Sequence, residues 1–350
     1  MYARIKTLVF HLAKLMGLFA LARRITRRGL RILCYHSFST DSDAAHEFRP
    51  GTFMRPQTFR RRMDLLAGMK LPVLPLHDAV NRLRDGALPP CAVVITFDDG
   101  AASTWLHGIP VLLERNLPGT IYVTTYYCVK QTPVFRMAVQ YMLWKSQAAQ
   151  VNLAGLGLPS GGVRALPDAS VAWEIIDFCE SSMHDAARNR LAAELGNRLG
   201  VPYGGIVAGR VFSIMTFDEI REAARAGVDI QLHAHRHRLP DDPEAARREI
   251  RENRAVLEPL VARPPSAGDV AALKHFCYPS GVWNAGHFAT LRSEGILSAT
   301  TCEAGLNYAG TPPLALRRFL DGEQVSDIEF EAELSGFSEL LRRVFRRRAS

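Results

Sequence analysis

The chain has 350 residues, 47% of them hydrophobic, enough for a sizeable core in one large α/β domain or two small ones. Its net charge of +8 is concentrated at the two ends without interleaved aromatic platforms or a recognisable module, so nucleic-acid binding is not expected. The six cysteines show no CxxC spacing, which argues against a thiolate zinc site and for reduced, structural thiols in a cytosolic setting.

Residues 1–28 form a basic amphipathic segment. Its apolar run, Thr7 to Ala22, contains His11 and Lys14 and is shorter than the roughly 20 residues a bilayer span requires. Lys6 before the run and Arg23, Arg24, Arg27 and Arg28 after it suit a helix on an anionic membrane surface. Two other readings stand beside that one: a helix packed on the body of the protein, and a signal peptide ending at Ala20-Leu21-Ala22, against which Lys14 counts.

Leu30 to His36 reads as a first buried strand ending in histidine. A polar loop from Ser37 to Pro56, carrying His46, Glu47 and Arg49, is expected over the same end of the sheet. Phe59, Met63 and Leu66 recur at helical spacing across Gln57–Ala67, a second strand is expected at Pro72–Leu76, and His77–Arg84 reads as helix. Val93 to Gly100 is an apolar strand that stops at Asp98-Asp99-Gly100. Beyond it come a helix at Ser103–Glu114 and a strand at Thr120–Val123. The segment from about 125 to 210 reads as an insertion in a βα loop, with helices at Phe135–Lys145, Val171–Glu180 and Asp185–Leu199 and a turn at Pro202–Gly205. Alternation resumes with a helix from Phe217, a strand at Val228–Leu232, a helix at Pro243–Val261, strands at His275–Tyr278 and Leu297–Thr301, and a helix between them. Repeated βα units imply a parallel sheet, with the site at the C-terminal ends of its strands. Residues 323–350 are an acidic stretch followed by a basic helix, either solvated or a second membrane-surface contact.

The chemistry concentrates at two of these strand ends. Adjacent carboxylates at the end of a buried strand are costly unless a cation or hydrogen bonds accept them. Both can serve one site only if the backbone turns, which Gly100 permits. A histidine triplet, His233, His235 and His237, follows another strand, and together the two ends offer a metal site with a spare carboxylate. The glutamate of a His-Glu-x-x-His helix is missing, so a loop-borne histidine pair is preferred, with His235 between them pointing elsewhere.

Thr96-Phe97-Asp98-Asp99-Gly100 together with His233-x-x-x-His237 resembles the first two motifs of the polysaccharide deacetylases, the NodB-homology or carbohydrate esterase family 4 enzymes. Leu33-Cys34-Tyr35-His36 is similar to their Tyr-His entry strand, and Phe276-Cys277-Tyr278-Pro279-Ser280-Gly281 to their third motif. The resemblance implies an irregular (β/α) barrel, a single catalytic domain over 29–322 interrupted by the insertion. It implies removal of N-acetyl groups from an amino sugar in a polysaccharide or lipid-linked glycan. Asp99, His233 and His237 would hold a divalent metal, zinc first, with Asp98 as base. Tyr278 would offer its backbone N–H to the oxyanion, and Pro279 would line the acyl pocket.

Two departures matter. Cys277 stands where many members carry an arginine that orients the base, and the stretch Leu314 to Phe319 lacks the histidine that serves as general acid. His36 is the first substitute for that acid, beside a purely structural role. Arg317 or Arg318 is expected to hold an anionic part of the substrate. Other readings are a deformylase or related amidohydrolase on a lipid- or nucleotide-linked sugar, and a catalytically silent glycan-binding protein. The expected location is the cytoplasm, peripheral on the membrane.

Overall fold

The computed structural model describes residues 2–39, 48, 50–159, 161–261 and 273–349, with side chains within 5–345. Two compact units are present, one formed by residues 127–216 with Phe48 and the other by the chain on either side.

The larger unit is built on seven strands, β1 Arg31–Tyr35, β2 Val93–Phe97, β3 Thr120–Val123, β4 Asp229–Leu232, β5 His275–Cys277, β6 Ser298–Thr300 and β7 Phe319–Leu320. They lie in the order β6-β5-β4-β3-β2-β1-β7, and every pair is parallel. The two edges meet. Leu316, just before β7, bridges Thr300 of β6, its N–H donating to Ala299 O at 2.8 Å while its carbonyl accepts from Thr301 N–H at 2.8 Å. The sheet therefore curls into the irregular (β/α) barrel that the motifs implied.

Near-continuous apolar runs form these strands because both faces are covered. Inside, Ile32, Val94, Tyr122, Cys277 and Leu316 pack with Leu76 and Ala79. Leu30 and Ala92, at the N-terminal ends of β1 and β2, share that cluster, so helix Leu76–Arg84 closes this end of the barrel. Outside, Phe59 meets Tyr35 at 4.9 Å and Phe97 at 5.6 Å, seating helix Pro56–Gly68 on β1 and β2. The site is left to the C-terminal ends.

Helices Tyr2–Leu15 and Leu18–Ile25 bury Phe10, Ala13 and Phe19 against Ile328 and Ala332 of helix Asp327–Ser335, and Phe337 of helix Phe337–Ala349 completes the contact. Both ends of the chain thus pack on the larger unit.

Residues 127–216, the segment expected as an insertion, leave after β3 and return before β4, and they own a separate core. Phe135, Val139 and Met142 of helix Phe135–Lys145 pack with Ile175 and Ile176 of helix Ala169–Ser182 and with Leu191 and Leu195 of helix Asp185–Leu199.

Two local expectations need correction. Pro72–Leu76 is not a strand. Val73 makes one bridge to Val93, and Leu76 already begins a helix, because Pro72 and Pro75 have no N–H to extend a ladder. Pro202–Gly205 is not a simple turn: Tyr203–Ala208 is a helix, since Tyr203 and Ile206, three apart, bury one face in the second core. The expected helix at Ser103–Glu114 opens with a π-turn, Thr104–Gly108, before becoming α-helical at Ile109.

Candidate active site

Strand β2 delivers Asp98 and Asp99 to the open end of the barrel. Asp98 N–H still donates to Tyr35 O at 2.9 Å, continuing the β1–β2 ladder, and the chain then turns. Asp99 has φ +68° and Gly100 φ +76°, so the second carboxylate is brought round beside the first. Asp99 bears a side chain in the left-handed region, and so do Ala234 (φ +60°) and His237 (φ +54°) after β4. Such strain persists only where the surroundings enforce it, and it clusters at functional sites.

The turns bring Asp99, His233 and His237 together. Both Nε2 atoms lie 3.2 Å from Asp99 Oδ1, and the two imidazoles stand 4.9 Å apart, edge to face. His233 is buried, while Asp99 and His237 keep about a third of their side chains open to solvent. His233 Nδ1–H donates to Cys277 O at 2.8 Å, which turns Nε2 toward Asp99, where a bound cation would take the place of its proton. Asn253, buried on helix Pro243–Val261, accepts from His233 N–H at 2.9 Å and donates to Val123 O and Thr125 Oγ1, fixing where β4 ends. His235 turns away, its Nδ1 2.8 Å from Thr125 Oγ1.

Asp98 is held quite differently. It is 2% exposed and receives a two-pronged ion pair from Arg318, Nη1 to Oδ1 and Nη2 to Oδ2, both at 2.6 Å. The Cys34 and Cys277 thiols donate to Oδ2 at 3.5 and 3.4 Å. Arg318 is itself fully satisfied, with Nε on Thr301 O, Nη1 also on Thr96 Oγ1, and the cation over the Tyr122 ring. Burial alone would raise the Asp98 pKa, but the Arg318 charge and hydrogen bonds outweigh it and hold the carboxyl well below the usual range. Asp99 is likewise held low, with burial opposed by His237 and His233 instead of an arginine. His36 Nε2 lies 3.6 Å from Asp98 Oδ2, and burial lowers its pKa against the pull of the aspartates, so the ring is neutral at neutral pH. Thr104 Oγ1, from the π-turn, donates to His36 O at 2.7 Å.

Cys34, His36 and Asp98, or Asp98, His233 and Cys277, are also close enough to share an ion. Asp98 is already neutralised by Arg318, however, whereas Asp99 has only imidazoles. The Asp99, His233, His237 set is therefore the one whose chemistry fits a divalent metal.

The remaining expected residues lie elsewhere. Arg318 does not reach a substrate: it is 1% exposed and spent on Asp98. Arg317 points the other way and pairs with Glu303 at 3.7 Å. The Tyr278 N–H is not a free oxyanion donor, because it completes the β5–β6 ladder to Thr300 O at 3.1 Å, and the buried Tyr278 hydroxyl donates to Leu314 O. Pro279 is buried in a short 3₁₀ turn with Ser280 at φ +55°. His46, Glu47 and Arg49 lie outside the described residues.

Sequence reasoning missed the true partner of Asp98. The arginine absent at Cys277 is supplied by Arg318, from the segment that closes the barrel. Leu316 faces the interior, so two-residue alternation sends Arg318 the same way, a signal visible once that stretch is read as a strand. Asn253 was marked by its place among the buried Ala246, Ile250 and Leu257 of an amphipathic helix.

No family model and no curated protein matches the sequence. Solved structures do match its fold. The Streptococcus pyogenes deacetylase PplD superposes with a TM-score of 0.56 at 15% identity, covering 88% of this chain and 99% of that one. IcaB from Ammonifex degensii gives 0.54 at 17% identity, with 89% and 97% covered. A de-N-acetylase from Aggregatibacter actinomycetemcomitans gives 0.55 at 14%, with 87% and 99% covered. The chain has the fold of the polysaccharide deacetylases.

Proposed function

We propose that the protein is a metal-dependent hydrolase that removes N-acetyl groups from an amino sugar of a polysaccharide or lipid-linked glycan. The observation that carries this is the division of labour between adjacent carboxylates, Asp99 with two histidines and Asp98 with Arg318, at the open end of a deacetylase-type barrel. Zinc is the first choice of metal for an Asp-His-His set. Bound by Asp99, His233 and His237, a divalent metal would polarise the acyl carbonyl and lower the pKa of water.

The chain's own residues would do the rest. Arg318 keeps Asp98 ionised and its oxygens fixed. His36, neutral and 3.6 Å from Asp98, is more open to solvent than Asp98 and is the group a substrate would meet. The Asp98–His36 pair accepts a proton as water adds to the acyl carbon, then returns it to the sugar nitrogen as the carbon–nitrogen bond breaks. Acetate and the free amine leave.

The six thiols, all unpaired, support work in a reducing compartment, and the basic ends support a membrane-peripheral location with a lipid-linked substrate. The test is acyl release from a panel of N-acylated glycans, free and lipid-linked, followed by mass spectrometry. Acetate release that disappears in Asp99→Ala supports the reading. Formate release alone would reassign the acyl group, and no release from any glycan would reject it.

A further inference from the structure

Helix Tyr2–Leu15 buries only part of its apolar run and leaves the rest uncovered. The lysines that flank and interrupt its apolar run, though nearly half exposed, are each tied to an acidic side chain of the protein, Lys6 to Glu329 at 2.6 Å and Lys14 to Glu331 at 2.5 Å. Phe10 and Ala13 are buried beside them. Its outward stripe is instead Ile5, Leu8, Val9, Leu12, Leu15 and Met16, 50–83% exposed, at spacings of three and four residues. After the break at Gly17 the second helix continues the pattern: Phe19 and Ala22 face in, while Leu21 and Ile25 stand 52% and 56% exposed. Half-exposed large apolar side chains gathered in one place mark an interaction surface.

We propose that this bent helix pair is a docking face that lays the protein on an anionic lipid bilayer. The proposal gives a surface to the membrane-peripheral part of the functional reading and rests on that part alone. Geometry argues for lying on the membrane. Together the two legs have the length and composition of a broken span, but they bend by 78°, Phe10, Ala13 and Phe19 are committed to the protein, and no single helix among the described residues is long and apolar enough to cross. At 1.5 Å per residue they reach about 21 and 12 Å, short of the roughly 30 Å hydrocarbon core. Charge selects the occupant. Arg24, Arg27 and Arg28, directly after the apolar stripe, are exposed and have no acidic partner among the described residues. Anionic headgroups would complement them, whereas a second copy docking through the same face would set arginine against arginine. The face is rigidly mounted: Phe10 and Phe19 meet the Phe337 ring at 5.6 and 5.1 Å, and Thr26 Oγ1 donates to Ala22 O at 2.8 Å.

Co-sedimentation of the full chain with phosphatidylcholine vesicles, with and without phosphatidylglycerol, tests this. The protein should pellet at least tenfold more with the anionic vesicles. Leu8→Glu with Leu12→Glu should abolish pelleting while leaving the thermal midpoint unchanged, since both residues are half exposed. Arg24→Gln, Arg27→Gln and Arg28→Gln together should erase the preference for the anionic lipid. Equal recovery with and without lipid would overturn the proposal, as would undiminished binding of the Leu8→Glu, Leu12→Glu protein. A lipid-free dimer that those two changes dissolve would assign the face to a second copy. Acyl release from a water-soluble glycan is read in parallel, so a failure of the catalytic reading leaves the lipid result standing, and the reverse.

Discussion

The electrostatics of the site come down to one arginine. Asp98 sits in a buried position where an ionised carboxylate without a partner costs several kcal/mol, and Arg318 supplies two charge-assisted hydrogen bonds in fork geometry. Removing Arg318 as Met should strand Asp98, destabilise the fold by about 3–5 kcal/mol in urea unfolding and lower kcat by at least about a hundredfold. Arg318→Lys keeps the charge but loses the fork, so it should recover stability better than kcat. His36 makes a second prediction. Its neutral ring accepts the proton, and burial holds its pKa below the ordinary value, so the acid limb of the activity profile should fall below pH 6.5. His36→Gln should lower kcat and remove that limb; a limb that persists would assign the proton to Asp98 alone. At this scale the sequence announced Asp98, Asp99, His233 and His237, because carboxylates and imidazoles at strand ends have few uses. It did not announce Arg318, since Arg317 and Arg318 are adjacent and chemically identical, and only the barrel-closing bridge at Leu316 decides which one faces in.

Each ligand depends on the element that carries it. Helix Pro243–Val261 puts Asn253 on its buried stripe, and that side chain spans His233 N–H, Val123 O and Thr125 Oγ1. Asn253→Leu should leave buried groups unpaired, cost about 2–4 kcal/mol and weaken metal binding by about 10–100-fold, read by titration calorimetry. Strand β5 carries His275, whose pKa is pushed down to about 3 by burial, with His77 and Lys274 adding to the effect. In the unfolded chain that imidazole binds a proton near pH 6.5, so its contribution is fully present above pH 6.5 and is lost as pH falls toward 3, a few kcal/mol in all. His275→Asn should flatten the acid dependence of the urea midpoint between pH 7 and 4, and an unchanged slope would show that other groups govern it. Elements with a clear period were legible: Thr120–Val123, Phe135–Lys145 and Asp185–Leu199 stand where spacing placed them. The misses at Pro72–Leu76 and Pro202–Gly205 share a cause, since proline signals a boundary without saying what lies beyond it.

At the scale of the molecule, a seven-stranded parallel sheet closes through a single bridge, and a helix seals the N-terminal end so that chemistry is confined to the other. Alternating βα units made that barrel readable. The separate core of residues 127–216 was not, because helical periodicity shows that a face is buried without showing against what. The terminal helices teach the same lesson, as the charge pattern that suggested a membrane surface could not reveal that Lys6 and Lys14 pair with Glu329 and Glu331 of helix Asp327–Ser335. The central claim is that Asp99, His233 and His237 hold a metal on which deacetylation depends, and metal analysis of the purified protein and its Asp99→Ala variant tests it most directly. One equivalent of divalent metal per chain, lost together with acetate release in the variant, is the predicted result. Acetate release that survives both chelation and the substitution would contradict it.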